Sequence, residues 1–103
     1  MIKLVAKLHI TGKLDNGAKI SILLEAIDRS LNQVEIDNLY LRLTHDIGCN
    51  RPTYLRISLS IKDNGEIICS HAKQIRSMTT IYSTITDYGM IINYEAAQHR
   101  LNQ

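Results

Sequence analysis

The chain has 103 residues, of which 45% are hydrophobic and 21% are charged. This length and balance predict one compact domain over residues 1–103, and they exclude a low-complexity or disordered chain. The formal net charge of +2 is far below the asymmetry that by itself indicates a nucleic-acid-binding or membrane-binding protein. No apolar run approaches the ~18 residues that a membrane span requires, so we expect a cytoplasmic protein without a membrane partner.

The N-terminal residues predict a β-hairpin. Apolar and polar residues alternate from Ile2 to Thr11, and a tight turn is expected at Asp15-Asn16-Gly17 because Asn and Gly tolerate positive φ. Two registers are open, one from a two-residue turn and one from a type I turn with Gly17 as a G1 bulge. The bulged turn gives the better hydrophobic match, because the two-residue turn pairs Leu8 with Glu25 and mixes the two faces. The bulged turn sets Ala6, Leu8, Ile10 and Gly12 opposite Ala26, Leu24, Ile22 and Ile20.

Helical spacing replaces strand alternation after Ile22. Apolar residues recur at intervals of three and four up to Val34, with polar residues on the other side. This pattern predicts a short amphipathic helix near Leu24 to Gln33, with a boundary margin of ~2–4 residues.

The stretch from Tyr40 to Ala72 predicts a meander of three strands. Leucines alternate with polar residues from Leu39 to Thr44, and apolar residues alternate again from Tyr54 to Ile61. The second Asp-Asn-Gly, at 63–65, predicts the turn into the third strand.

Two registers are again open at this second turn. A two-residue Asn64-Gly65 loop pairs Ile61 with Ile68, whereas a bulged turn with Gly65 as the G1 bulge pairs Ile61 with Ile67. The bulged turn matches more apolar residues, since it also sets Leu59 opposite Cys69. We therefore predict bulged turns in both hairpins.

The C-terminal residues predict two helices and one undecided segment. Ser70 is a candidate cap for a helix from His71 to Ser77, and a closing helix is expected from Met90 to Leu101. Between them, Thr79 to Thr86 is rich in β-branched residues, so a strand and a continued helix both stay open. The predicted fold is α+β: a mainly antiparallel sheet of four to six strands built from two hairpin units, with two or three short helices packed on one face.

The outer face of the predicted meander is the first candidate site. Antiparallel pairing sets Arg42 opposite Tyr54 and Tyr40 opposite Arg56. Such a face can stack unpaired bases on Tyr and hold phosphates with Arg, as single-strand-binding sheets do. Crossed Arg-Tyr pairs also stabilise a purely structural or protein-contacting face through cation–π contact. Tyr40, Arg42, Tyr54 and Arg56 are therefore the predicted binding residues.

A candidate zinc set consists of His45, Cys49, Cys69 and His71, since thiolates and imidazoles suit zinc and residues two apart on a strand share a face. The spacing matches no zinc signature. In the simpler interpretation Cys69 is a small core residue and His71 begins a helix, so we predict no metal and no cofactor. A Cys49 nucleophile activated by His45 and oriented by Asp46 is disfavoured, because all three lie within one loop.

Lysines follow the outward side of the first hairpin, where Lys7 is expected opposite Glu25. Edge lysines commonly discourage sheet-to-sheet aggregation. The remaining members of this basic set are Lys3, His9, Lys13 and Lys19.

The pattern as a whole predicts a small non-enzymatic binding protein, a regulator or inhibitor that contacts a protein partner through the sheet face or a strand edge. The alternative is a protein that binds single-stranded RNA or DNA on the Tyr/Arg sheet face. Self-association into a homo-oligomer is a further expectation, and a small zinc module or enzyme ranks third.

Overall fold

The computed structural model describes residues 3–101 as a four-stranded antiparallel sheet with two α-helices on one side. The strand order is β2-β1-β3-β4, so the predicted α+β class with an antiparallel sheet is confirmed. Within residues 3–101, no helix combines the length and apolarity needed to span a membrane. The elements in chain order are β1 (Leu4–Leu14), β2 (Lys19–Ile27), α1 (Gln33–Ile47), β3 (Pro52–Asp63), β4 (Glu66–Gln74), a 3₁₀ turn (Met78–Thr80) and α2 (Ile81–Leu101).

The core lies between the helices and one face of the sheet. Antiparallel pairing of β1 with β3 sets Leu8 opposite Leu59 and Ile10 opposite Ile57, and all four side chains are buried. Burying each such side chain stabilises the fold by roughly 1.5–3 kcal/mol relative to leaving it exposed. The helices close the core with Ile36, Leu39, Leu43 and Ile47 from α1 and with Ile81, Ile85, Ile92 and Ala96 from α2.

The β1–β2 hairpin has the register that the sequence predicts. Ile10 pairs with Ile22, and Gly12 pairs with Ile20. At the turn, the Leu14 amide donates to the Ala18 carbonyl at 2.8 Å, and Gly17 adopts a φ of +89°. The alternation of buried and exposed residues continues to the end of β2, so this register buries one complete face of the strand.

The register predicted for the β3–β4 hairpin is wrong. Asp63 pairs with Glu66 across a two-residue loop, in which Asn64 and Gly65 have φ values of +54° and +89°. Positive φ at both positions is the geometry of a type I′ turn, whose twist matches that of the flanking strands. The bulge instead lies inside β4 at Ile68, because Ile61 pairs with Cys69 while Lys62 pairs with Ile67.

The predicted strand from Leu39 to Thr44 is wrong, because these residues belong to α1. The helix begins at a capping box: the Asn32 side chain accepts from the Glu35 amide at 2.9 Å, and the Glu35 carboxylate accepts from the Asn32 amide at 3.0 Å. Its buried residues follow helical spacing, whereas Leu41 is 60% exposed. The alternation of leucines was therefore coincidental.

Two predicted helices are wrong as well. In the segment 24–33, residues 24–27 belong to β2, the chain turns at Asp28 with a φ of +54°, and only Gln33 is helical, as the first residue of α1. The segment 71–77 is largely β4, which continues to Gln74. Ser77 then caps the 3₁₀ turn by accepting from the Thr79 amide.

The undecided segment from Thr79 to Thr86 is helical and leads into α2. Packing overrides its β-branched composition, because Ile81, Ile85 and Tyr88 are buried at helical spacing. The helix also runs through Gly89, where a Cβ atom would lie 2.8 Å from the Ile36 side chain. Gly89 therefore permits close contact between α1 and α2 and does not end the helix, and the predicted closing helix forms the second half of α2.

Candidate functional site

The sheet face opposite the helices is largely open to solvent, and we call it the outward face. Its residues alternate with the buried ones along each strand. Serine and threonine predominate at its centre, and charged residues lie toward its ends. The outward face comprises Val5, Lys7, His9, Thr11 and Lys13 of β1; Lys19, Ser21, Leu23, Glu25 and Ile27 of β2; Tyr54, Arg56, Ser58, Ser60 and Lys62 of β3; and Ser70, Ala72 and Gln74 of β4.

Positive charge is concentrated on the outward face. It carries five Lys or Arg residues and one carboxylate, Glu25, which gives a net charge of +4. The whole chain has a net charge of only +2, so the rest of the molecule carries −2. Glu25 partly neutralises one lysine, since its Oε2 lies 3.7 Å from Lys7 Nζ. This separation of charge produces a local positive field that the net charge conceals.

Two of the four predicted binding residues lie together on the outward face. Tyr54 and Arg56 are successive outward residues of β3, and both are exposed. The Tyr54 hydroxyl lies 3.4 Å from Thr11 Oγ1, which orients the phenol ring along the sheet. These two residues therefore present one aromatic ring and one guanidinium on the same surface.

The other two predicted binding residues, Tyr40 and Arg42, lie on α1, on the opposite side of the sheet. The crossed Arg-Tyr pairs are therefore wrong. The Tyr40 ring packs edge-on against Tyr82, with centroids 5.1 Å apart, and is partly buried against the core. It is a structural contact between the two helices.

Tyr82 connects α2 to α1 through a polar cluster. Its hydroxyl donates to Asp37 Oδ1 at 2.7 Å, and the Gln33 amide donates to the same oxygen at 2.9 Å. The Tyr82 hydrogen bond, followed by that of Gln33, lowers the pKa of Asp37 because both stabilise the carboxylate. The same hydrogen bond to Asp37 raises the pKa of Tyr82.

β4 is an uncovered edge strand. Eight of its nine residues are exposed, and Cys69 is the only one that is partly buried. Ile67 and Ile68 are 60% and 47% exposed. Burial of the Cys69 thiol, with a smaller contribution from the Glu95 carboxylate, raises its pKa, which disfavours the reactive thiolate form.

The hydrogen-bonding pattern between β3 and β4 shows which backbone groups of β4 point to the open edge of the sheet. The Ile75 amide donates to the Leu55 carbonyl at 2.8 Å. Because antiparallel pairs alternate between bonded and non-bonded, Lys73, His71 and Cys69 bond to β3. The amide and carbonyl groups of Ser70, Ala72 and Gln74 therefore point to the open edge, where another strand can bind them.

The candidate zinc set does not converge. Cys69 lies opposite Ile61, nine residues along β3 from Pro52, which is roughly 30 Å from the end of β3 that the Cys49 loop joins. Cys69 and His71 do share a face, and the His71 ring lies 6.2 Å from the Tyr88 ring. Among residues 3–101, no three His, Cys, Asp or Glu side chains gather in a way that could hold a metal ion.

The proposed activation of Cys49 has little geometric basis. His45 Nδ1 lies 3.5 Å from Asp46 Oδ1, but the His45 side chain is 88% exposed and Cys49 is exposed beyond the end of α1. His45 and Asp46 lie in the last turn of α1, so the single loop expected for all three residues is wrong. The His45 ring and the Cys49 thiol are both open to solvent, and within residues 3–101 no contact brings Cys49 to His45.

Sequence reasoning missed a buried histidine. His99 lies in the last turn of α2, with Nε2 3.7 Å from Asp28 Oδ1 and Nδ1 3.8 Å from Asp63 Oδ1. Asp28 Oδ1 also accepts from the Leu4 amide, so the cluster connects α2 to the ends of β2 and β3. The available signal was helical spacing, because the buried stripe through Ile92 and Ala96 continues at residue 99.

Comparison of the chain with protein-family models, with curated proteins and with solved structures gave no match. The outward face and the β4 edge therefore have to be interpreted from their own geometry.

Proposed function

We propose that this is a non-enzymatic binding protein whose β4 edge accepts an extended segment of a protein partner as a fifth strand. The observation that supports the proposal is a nine-residue edge strand with eight exposed residues. Strand addition derives its affinity from main-chain hydrogen bonds and its specificity from alternate side chains. Occupying a segment of a larger protein in this way would make the chain a regulator or inhibitor of that protein.

The composition of β4 favours strand addition. Natural edge strands are commonly protected by proline, by inward-pointing charge or by bulges. The bulge at Ile68 protects the turn end, and Lys73 places one charge on the helix side of the strand, opposite Ile57. The stretch from Cys69 to Gln74 is otherwise regular and contains no proline. Ile67 and Ile68 offer exposed apolar contacts beside this stretch. The other edge strand, β2, has α1 packed against one face, whereas no residue of β4 is fully buried.

A proline substitution at the open edge of β4 tests the proposal. Ala72→Pro removes an amide that faces the open edge and leaves the hydrogen bonds to β3 intact. Ala72→Ser is the matched control, because it changes the same side chain and keeps the amide. Each tagged variant is used to capture proteins from extracts of the native cells, with quantitative mass spectrometry as the readout. Sedimentation velocity of the purified variants reports self-association.

We expect a protein that wild type and Ala72→Ser retain and that Ala72→Pro loses by tenfold or more. Equal retention of every captured protein by wild type, Ala72→Ser and Ala72→Pro would refute strand addition at β4. A dimer that Ala72→Pro dissociates would identify a second copy of the chain as the occupant of the edge, in place of a separate partner.

A second candidate function is the binding of single-stranded nucleic acid on the outward face, and the observation that favours it is the net charge of +4 on the face that carries Tyr54 and Arg56. Cationic side chains would contact phosphates while Tyr54 stacks on a base. Fluorescence anisotropy with random-sequence oligonucleotides tests this function at two salt concentrations. With about four phosphate contacts, affinity should fall roughly 50-fold between 50 and 200 mM salt.

Tyr54→Ala separates stacking from charge attraction in that assay. The matched control is Tyr94→Ala, which removes a tyrosine that is 63% exposed on α2. Loss of binding with Tyr54→Ala alone would support the nucleic-acid function. Absence of binding at low salt, or equal effects of both variants, would refute it.

A further inference from the structure

One end of the outward face contains a pocket surrounded by lysines. Its volume is about 470 Å³, and the lysines are Lys3, Lys7 and Lys62. Ser60 and Asn64 add polar groups to the wall, and Val5 supplies apolar surface. A pocket of this size falls within the range of small-molecule sites in proteins.

The sheet register brings the three lysines together from distant parts of the sequence. Val5 of β1 pairs with Lys62 of β3, and Lys7 pairs with Ser60. Just beyond the paired residues of β1 and β3, the Asn64 amide donates to the Lys3 carbonyl at 2.7 Å. This hydrogen bond holds Lys3 beside the β3–β4 turn. Lys3 and Lys7 are about 13 Å apart along the strand with Lys62 between them, so their flexible stems can surround one ligand.

Among residues 3–101, the charged side chains that line the pocket are all lysines, and no carboxylate lines it. Glu25 approaches from the side and pairs with Lys7 at 3.7 Å, but both side chains are about half exposed. Exposed ion pairs of this kind contribute little stability. A multiply charged anion can therefore compete with Glu25 for Lys7.

We propose that the three-lysine pocket binds linked phosphate groups, such as the diphosphate or triphosphate portion of a nucleotide. Lysine is a point-charge phosphate ligand, and the Ser60 hydroxyl and Asn64 side-chain amide add hydrogen-bond donors. Within the part of the chain that the structure describes, no aromatic residue lines the pocket, so recognition is directed to the phosphates and not to a base. The site lies on the outward face and does not depend on partner binding at the β4 edge.

Isothermal titration calorimetry with inorganic triphosphate at low salt tests this site. Lys62→Gln should weaken binding about tenfold, because it removes one charge-assisted contact from the pocket. Lys19→Gln is the matched control: it makes the same charge change on the same face, about 27 Å along the hairpin from Val5. Its effect should be twofold or less.

A gain-of-affinity variant makes the test sharper. Glu25→Gln releases Lys7 from its carboxylate partner and should tighten triphosphate binding by about two- to fivefold. Failure of wild type to bind inorganic triphosphate at millimolar concentration would overturn the proposal. Equal weakening by Lys62→Gln and Lys19→Gln would also overturn it, because it would indicate diffuse attraction to the whole outward face.

Competition identifies the source of the phosphates. Displacement of triphosphate by nucleoside triphosphates, but not by single-stranded DNA, would support a small-molecule nucleotide site. Displacement by single-stranded DNA alone would overturn the nucleotide assignment and indicate backbone phosphates. Ala72→Pro should retain full triphosphate binding, so failure of this site is distinguishable from failure of strand addition at β4.

Discussion

The two hairpins use the same Asp-Asn-Gly sequence and fold around it differently. In the β1–β2 hairpin, Gly17 alone adopts positive φ and the ladder is regular. In the β3–β4 hairpin, Asn64 and Gly65 both adopt positive φ, and the bulge lies inside the strand at Ile68. The tripeptide therefore fixes the position of a turn, and the flanking strands select its type.

Burial explains the difference between the hairpins. Helix α1 packs along β2, so a slipped register there would expose Ile20, Ile22 and Ala26. No residue of β4 is fully buried, so hydrophobic matching constrains its register weakly. The same lack of cover leaves β4 open to an additional strand. The proposed binding of a partner strand would therefore have the same structural origin as the tolerance of β4 to a change of register.

Replacing one isoleucine in each hairpin by alanine should give the largest difference between the hairpins in the free energy of unfolding. Ile22→Ala in β2 removes a side chain that is 1% exposed, and we expect a loss of about 2–5 kcal/mol in the free energy of unfolding. Ile68→Ala in β4 removes one that is 47% exposed, with an expected loss of about 0.5 kcal/mol or less. Urea unfolding of both variants measures the difference. Similar losses would show that β4 is covered in solution.

Single proline substitutions at two neighbouring positions of β4 should give a smaller difference in stability. Lys73→Pro removes an amide bonded to β3 and should cost about 1–3 kcal/mol, since the Ile57 carbonyl loses its donor. Ala72→Pro removes an amide at the open edge and should change stability by less than about 1 kcal/mol. Thermal unfolding compares the two variants. The reverse order of stabilities would mean that the hydrogen-bonding phase assigned to β4 is wrong.

The smallest effect concerns the hydrogen bond that connects α2 to α1. Tyr82→Phe removes the main hydrogen bond that lowers the pKa of Asp37, so this pKa should rise toward its ordinary value. Because the pKa of Asp37 is lowered in the folded protein, its carboxylate stabilises the fold above the unfolded-state pKa. That contribution is lost as the pH falls through the folded-state pKa. The variant should therefore lose less stability on acidification.

Carbon-detected NMR titration of the Asp37 carboxyl group provides the measurement. Tyr94→Phe serves as the control, since Tyr94 is an exposed tyrosine on the same helix. An unchanged Asp37 titration in Tyr82→Phe would contradict the role of this hydrogen bond.

Strand alternation correctly predicted the core face of β1 and β3, because period-two burial is a local property of the sequence. The same rule failed at Leu39, Leu41 and Leu43, where alternation occurs by chance within a helix. The correct signal was the capping box from Asn32 to Glu35, followed by apolar residues at helical spacing. A start signal of this kind should have outweighed three alternating leucines.

The candidate sites were harder to predict because they depend on long-range pairing. Tyr54 and Arg56 were correctly assigned to the outward side of a strand, but their expected partners Tyr40 and Arg42 belong to a helix. The three-lysine pocket requires the β1–β3 pairing, which joins residues nearly 60 positions apart. Local patterns carry no information about such pairing, so only the fold reveals the concentration of charge.

Amide hydrogen exchange of the free protein, measured residue by residue by NMR, tests most directly whether β4 is an open edge. The structure predicts alternation: the amides of Cys69, His71 and Lys73 should be protected by β3, while those of Ser70, Ala72 and Gln74 exchange rapidly with water. Equal protection of both sets would contradict an open edge, because it would show that another strand already covers β4.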